Sequence, residues 1–330
     1  MRKCCLCDYF CTIEKGKGME KMKGYLKKAL AMTMAGVMVC GILTGCGSKT
    51  TETKAETTAE TTAETGAESA AGEASAEVKT IEDGVLKVAM ECGYAPYNWT
   101  QPTDANGAVP ISGSSDYAYG YDVMMAKYVA EKLGLELEIV KLDWDSLVPA
   151  VQSGTVDCVI AGQSITSDRL EMVDFTTPYY YASIITLVKA DGPYAEAKGV
   201  SDLDGATCTS QLNTVWYDTC IPQIPNVNQL PAQESAPAML VALNAGKCDV
   251  VVTDMPTGMA AMVAYPDFKL LDFSGTEDDY EVSEEEINIG ISVKKDSPLT
   301  AQLNEALKDL TSEDFDSMME EAISVQPLSE

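Results

Sequence analysis

Ala161-Gly162-Gln163-Ser164-Ile165-Thr166-Ser167-Asp168-Arg169-Leu170-Glu171-Met172-Val173-Asp174-Phe175 follows an apolar run, Val156 to Ala161, and the change of pattern between them decides the fold. The run reads as a buried strand, the small residues after it as a turn, and Asp168 to Val173 as a helix with an arginine in its first turn. Backbone N–H groups at a helix start, the Ser164 hydroxyl and the forked Arg169 guanidinium can together hold one carboxylate, because planar guanidinium and carboxylate match bidentately. The competing reading is an ST-turn followed by a helix whose arginine makes a surface ion pair.

Working outward, Val85 to Met90 reads as a strand, and Tyr121 to Leu133 as a helix with Val123, Ala126, Ala130 and Leu133 on one face. Leu135 to Ile139 alternates as the next strand, and Leu147 to Ser153 is a short helix ended by Gly154. Strand, helix, strand, helix, strand gives an α/β domain with largely parallel pairing. Laying Leu147 to Gly162 over Met239 to Asp254 aligns Ala150 with Ala242, Gly154 with Gly246, Asp157 with Asp249 and Val159 with Val251. This weak repeat predicts two lobes of related build, although helix-Gly-x-x-Asp-strand is also a frequent α/β phrase. In it Gly162 falls on Asp254. Each lobe then ends the same strand with ligand-grade chemistry, a cation seat at Arg169 facing a carboxylate seat at Asp254, which together suit a zwitterion.

The second lobe is expected to hold strands at Ile184 to Val188, Ala206 to Ser210, Cys248 to Thr253 and Lys269 to Phe273. Glu277 to Glu286 reads as an acidic surface loop, Ile287 to Val293 as a strand, and Pro298 to Leu310 as an amphipathic helix. The last two are expected to return to the first lobe, so that two crossings form a hinge.

Upstream of these elements the chain reads as an address. Lys21, Lys23, Lys27 and Lys28 precede an uncharged apolar run, Ala29 to Leu43, that is short of the about 20 residues a spanning helix needs. Leu43-Thr44-Gly45-Cys46 closes it, and Met19 or Met22 would start a more usual leader than Met1. Ser48 to Thr80 repeats Thr, Ala and Glu with almost no large apolar residue, which reads as a disordered spacer. The chain carries a formal charge of −28 and no histidine, and the basic leader would take positive charge with it when removed. Nucleic acid is therefore an unsuitable partner. Cys4, Cys5, Cys7 and Cys11 fit no standard zinc spacing, and no metal or cofactor is expected. Of Cys92, Cys158, Cys208, Cys220 and Cys248, only Cys208 with Cys220 suggests a disulfide.

From Leu86 onward the chain resembles the extracytoplasmic amino-acid-binding proteins of ABC importers, bacterial solute-binding protein family 3. The resemblance rests on Gly93-Tyr94-Ala95-Pro96-Tyr97, Gly120-Tyr121-Asp122-Val123, Trp144-Asp145-Ser146-Leu147-Val148-Pro149-Ala150, Gly154-Thr155-Val156-Asp157, Ile165-Thr166-Ser167-Asp168-Arg169, Val173-Asp174-Phe175 and Pro178-Tyr179-Tyr180, in that order. It implies a two-lobed α/β fold of the type II periplasmic-binding-protein kind, each lobe a mostly parallel sheet flanked by helices. Ahead of it the residues themselves predict a signal region at 1–45 and a linker at 46–80, and Leu43-Thr44-Gly45-Cys46 resembles the lipobox of bacterial lipoproteins, which implies a lipidated Cys46. Lobe 1 would follow at 81–182, lobe 2 at 183–284, and the return to lobe 1 at 285–330.

By the same resemblance Arg169 clamps a ligand α-carboxylate, Ser164 donates to it, Gly162 offers backbone and Asp254 holds the α-ammonium. Tyr94 and Trp144 would be aromatic walls, with Glu91 and Gln211 at the side-chain tip. Asn213-Thr214 stands where the family commonly has Gly-Thr, so Thr214 belongs to a loop that departs from the pattern. The segment Gln101 to Tyr119 looks like an insertion beside the cleft. The expected partners are an amino acid, the membrane subunits of an ABC importer, and the membrane through the lipid alone, for a monomer on the extracytoplasmic face. One alternative stays open, a dehydratase-like enzyme on the same fold acting on a small carboxylate, whereas the sensor domain of a membrane kinase would require a spanning helix after Glu330.

Overall fold

The structure, a computed structural model, describes residues 78–327. The expected leader, Cys46 and nearly all of the spacer lie outside the described residues.

The first sheet is built from β1 (Val85–Met90), β6 (Glu136–Lys141), β7 (Cys158–Val159), β8 (Val173–Phe175) and β14 (Ser292–Lys294), in the order β6-β1-β7-β14-β8. The second contains β9 (Ile184–Lys189), β10 (Thr207–Thr209), β11 (Asn228–Gln229), β12 (Val250–Asp254) and β13 (Phe268–Leu271), in the order β11-β10-β12-β9-β13. In each sheet one strand runs against the rest: β14 is antiparallel to β7 and β8, and β9 is antiparallel to β12 and β13. These are the strands that follow each passage of the chain from one sheet to the other. The two crossing segments meet, with the Ile289 amide donating to the Tyr180 carbonyl at 2.9 Å and the Tyr179 amide to the Ile289 carbonyl at 2.9 Å.

Helices cover both sheets. Helix α1 (Tyr121–Leu133) buries Val123, Ala126 and Ala130, as its apolar spacing requires, and packs against α7 (Leu299–Leu307) and α8 (Ser312–Val325). Helix α2 (Leu147–Ser153) precedes β7, and α4 (Ala236–Asn244) precedes β12. The sequence repeat has a structural meaning here. Gly154 after α2 and Gly246 after α4 both take left-handed backbone, with φ of 74° and 65°. Asp157 then accepts from the Lys87 amide of β1 at 2.8 Å, while Asp249 accepts from the Thr207 amide of β10 at 3.0 Å. The same phrase docks the same strand on its neighbour in both lobes.

Three local expectations change. Residues Ile287 to Val293 do not form one strand: the Ser283 side chain caps a short helix, α6 (Glu284–Ile287), and pairing as a strand begins only at Ser292. Ile287, Ile289 and Ile291 remain buried, so the alternation is real, but it belongs to a crossing segment rather than to a continuous ladder. Gln101 to Tyr119 folds into β4 (Val109–Pro110) and β5 (Tyr117–Tyr119), which join β2 (Gly93–Tyr94) and β3 (Asn98–Gln101) in a four-stranded antiparallel sheet. The third concerns cysteine: Cys208 and Cys220 are both buried and both free, as are Cys92, Cys158 and Cys248. Burial raises their thiol pKa values, to about 12 for Cys208, so they behave as small apolar residues.

Candidate functional site

Four strands that share a direction within their sheets end in one cleft. Glu91 follows β1, Gly162 follows β7, Gln211 follows β10 and Asp254 ends β12, which is where open α/β sheets place their ligands.

Arg169 sits in α3 (Ser167–Met172), whose N-cap Thr166 accepts from the Arg169 amide at 3.3 Å. Its guanidinium is nine-tenths buried and donates to the Ser164 carbonyl at 2.7 Å and, across the cleft, to the Asn213 carbonyl at 2.8 Å. It also lies over the Trp144 ring, 5.3 Å from the centroid. Burial pulls its pKa down to about 10, and Asp218 acts in the opposite sense. Among the described residues no carboxylate forms an ion pair with it. A guanidinium has five N–H donors, so two carbonyls leave capacity for an anion.

Asp254 is almost fully buried and caps α5 (Met255–Ala264), accepting from the Thr257 amide at 3.0 Å and the Thr257 hydroxyl at 2.9 Å. Two tyrosines of the other lobe reach it: Tyr94 donates to one carboxylate oxygen at 2.6 Å and Tyr97 to the other at 3.2 Å. Their hydroxyl pKa values are driven far up, chiefly by burial and next by the Asp254 charge. The two rings stack at 4.8 Å. Tyr94 therefore carries both an aromatic face and a bond between lobes.

Three further contacts cross the cleft or shape its far wall. The Trp144 indole N–H donates to the Leu212 carbonyl at 2.9 Å, and Gln211 donates to Glu91 at 3.5 Å. Thr214 serves its own loop, donating to the Gln211 carbonyl at 2.7 Å. Asn213 adopts left-handed backbone, with φ of 55°, and it is its carbonyl that meets Arg169. Desolvation raises the Glu91 carboxyl to about 7, the Gln211 hydrogen bond opposes this, Asp143 adds to it and Lys141 reduces it. Glu91, Asp143, Trp144, Asp145, Leu212, Glu234 and Ser235 enclose a cavity of about 490 Å³.

Gly162 is fixed by two demands. Its φ of 63° is left-handed, and a Cβ there would lie 2.8 Å from Cε1 of Tyr94. Its amide donates to the Tyr179 hydroxyl at 3.1 Å, and that hydroxyl in turn donates to the fully buried Asp122 at 2.7 Å. Asn98 donates to Asp122 at 2.7 Å and accepts from the Cys92 amide at 2.6 Å, so one network locks the loops after β1 and β7. Burial lifts Asp122 to about 6 against the pull of Tyr179, Asn98 and the Gly162 amide.

The structure thus gathers Glu91, Tyr94, Trp144, Gly162, Ser164, Arg169, Gln211 and Asp254 at one cleft, with Thr214 supporting its edge. Sequence reasoning assigned no role to Tyr97, Asp122, Tyr179 or Thr257. Tyr97, Asp122 and Tyr179 lie inside phrases that carry the family resemblance, whereas Thr257 is marked only by its place three residues after a capping aspartate.

Residues 86–322 match the bacterial extracellular solute-binding proteins, family 3. The chain belongs to this family. A probable histidine-binding protein of Campylobacter jejuni is 28% identical over 182 residues, 55% of this chain and 64% of the relative, so the chain spans a little under two thirds of that protein. An amino-acid ABC transporter substrate-binding protein of Streptococcus pneumoniae, solved with L-arginine, is 27% identical with a TM-score of 0.63, covering 73% of this chain and 94% of that one. The ancestral amino-acid-binding protein AncCDT-1, a precursor of cyclohexadienyl dehydratase, is 26% identical with a TM-score of 0.58, covering 73% and 95%. The two-lobed fold is shared with these structures. No helix among the described residues is long and apolar enough to cross a membrane.

Proposed function

We propose that this family member captures one amino acid between its lobes and delivers it to the membrane subunits of an ABC importer, as a monomer tethered on the extracytoplasmic face by a lipid on Cys46. The observation that carries the ligand reading is Arg169: a buried guanidinium with no carboxylate partner among the described residues, opposite a buried carboxylate in the other lobe. An α-carboxylate pairs with the first and an α-ammonium with the second, where Tyr94 and Tyr97 now donate. Ser164, Gly162, Trp144 and Gln211 line the path between, and Glu91 meets the side chain. An ionised carboxylate has no hydrogen to donate, so Glu91 favours a side chain that is polar or cationic over an acidic one.

Closure follows from placing the two charge seats in different lobes, since a ligand that bridges both favours the closed arrangement by its differential affinity. The two crossing segments around Tyr180 and Ile289 serve as the hinge. The test is calorimetry with an amino-acid panel on wild type and Arg169→Ala. Loss of the clamp should cost about 2–5 kcal/mol of binding, because the ligand carboxylate loses its desolvated charge partner. Unchanged affinity in a folded variant rejects the clamp.

A second reading draws on Glu91, whose carboxyl near neutrality in a cavity suits a general acid for dehydration of a small carboxylate. It differs in one measurable way: the purified protein would turn such a substrate over, and a binding protein would return it unchanged.

A further inference from the structure

The two charge seats differ in what they have left to give. Arg169 donates to two carbonyls and keeps further N–H groups for an anion. Asp254 is already full. One of its oxygens accepts from the Tyr94 hydroxyl at 2.6 Å, the Thr257 hydroxyl at 2.9 Å and the Thr253 hydroxyl at 3.4 Å. The other accepts from the Thr257 amide at 3.0 Å and the Tyr97 hydroxyl at 3.2 Å. A carboxylate offers about four lone-pair sites, so these five donors leave none over. An ammonium therefore reaches Asp254 only by replacing one of them.

What holds each donor identifies the one that gives way. Thr253 and Thr257 lie in the same lobe as Asp254, and the cap itself binds the Thr257 amide into the first turn of α5. The Tyr97 ring is fully buried and packs edge-on against Tyr121 and Tyr180, with centroids 6.2 and 6.1 Å away. Tyr94 stands on β2, a strand of two residues; its ring has one face on Tyr97 and lies close to Gly162. Its bond to Asp254 is the shortest of the five and comes from the other lobe. Burial, ahead of the Asp254 charge, keeps that hydroxyl a protonated donor. We infer that the Tyr94 hydroxyl is an internal competitor for the ligand α-ammonium: it occupies the Asp254 oxygen that the ammonium takes, and its departure from that oxygen is a step of binding that sets the affinity. The inference rests on the amino-acid-binding reading above and deepens it. Because the tyrosine and the ammonium exclude each other, the tyrosine bond stabilises the protein before capture and not after it. Removing the hydroxyl must then strengthen binding, the opposite of what removing a ligand contact does.

The test compares an amino acid with the same molecule lacking its α-ammonium. Calorimetry on the wild type and on Tyr94→Phe measures the dissociation constants of an amino-acid panel and then of the tightest binder's des-amino analogue, δ-guanidinovalerate for L-arginine or glutaramate for L-glutamine. Circular dichroism confirms that the variant folds. Phenylalanine keeps the aromatic wall and removes only the donor. At the usual worth of a hydrogen bond to a charged group, Tyr94→Phe should hold the amino acid about tenfold to a hundredfold more tightly. Affinity for the des-amino analogue, which leaves Tyr94 on Asp254, should stay as it is, so the preference for the amino acid widens by the same factor. A ring that served as a wall alone would leave that preference unmoved. Ultraviolet resonance Raman on the wild type supplies a reading that needs no variant: the tyrosine doublet should change on adding the amino acid and not on adding its des-amino analogue. A folded variant that binds the amino acid no more tightly than the wild type, or a doublet that responds alike to both molecules, overturns the inference while leaving amino-acid capture intact. A wild type that binds no amino acid in the panel overturns both.

Discussion

Glu91 makes amino-acid capture depend on pH in a direction that the structure fixes. Burial raises its carboxyl from 4.5 to about 7, so at pH 6 about nine proteins in ten carry the proton. A cationic side chain seated beside Glu91 favours the ionised form, and binding at pH 6 must expel nearly one proton. If the bound carboxyl returns to its ordinary range, apparent affinity for arginine should be about tenfold weaker at pH 6 than at pH 8, or about 1.4 kcal/mol. Calorimetry in two buffers of different ionisation enthalpy reads both quantities, with about 0.9 proton released at pH 6 and about 0.1 at pH 8. Glu91→Gln should abolish the release; a weaker transition near pH 6 that survives the substitution would belong to Asp122. Stability of the ligand-free protein should run the other way. A raised carboxyl favours the fold fully below about 4.5 and loses that contribution as pH climbs through about 7. Affinity constant between pH 6 and 8, with no proton exchanged, would refute the placement of Glu91 against a ligand cation.

Gly162→Ala should lower stability by about 2 kcal/mol, read as a fall of roughly 4–8 °C in Tm, since left-handed backbone and the approach to Tyr94 both penalise a Cβ. A melting temperature within a degree of wild type would show that the loop yields. Labelled fatty acid should enter the wild type in a bacterial host and not Cys46→Ala; equal incorporation would remove the tether from the proposal.

The short-range grammar of this chain was legible before any coordinates. Helix α1 runs from Tyr121 to Leu133 as its spacing requires, α2 occupies Leu147 to Ser153, and the repeated Gly-x-x-Asp phrase docks equivalent strands in both lobes. These features are local: apolar period, a left-handed glycine, a carboxylate three residues on. The repeat set Arg169 and Asp254 at equivalent strand ends facing one cleft, and the family resemblance gave each its expected ligand group.

What only the tertiary structure decided are contacts between residues far apart in the chain. The Tyr94 hydroxyl meets Asp254 across 160 positions, and Gln211 meets Glu91 across 120. No periodicity encodes which oxygen a tyrosine will reach. The Ile287 to Val293 alternation looked like a strand because burial of every second residue is all that a sequence displays. Whether backbone partners lie alongside depends on where the crossing segments run, and they supply only isolated bridges at Ile289. Glu91 shows the same limit most sharply. As a residue type it is an ordinary carboxylate at a strand end, and only the walls that folding places around it carry its ionisation to neutrality, by desolvation first and by Asp143 after it, against the pull of the Gln211 hydrogen bond, because solvation is a property of the assembled cavity rather than of the residue.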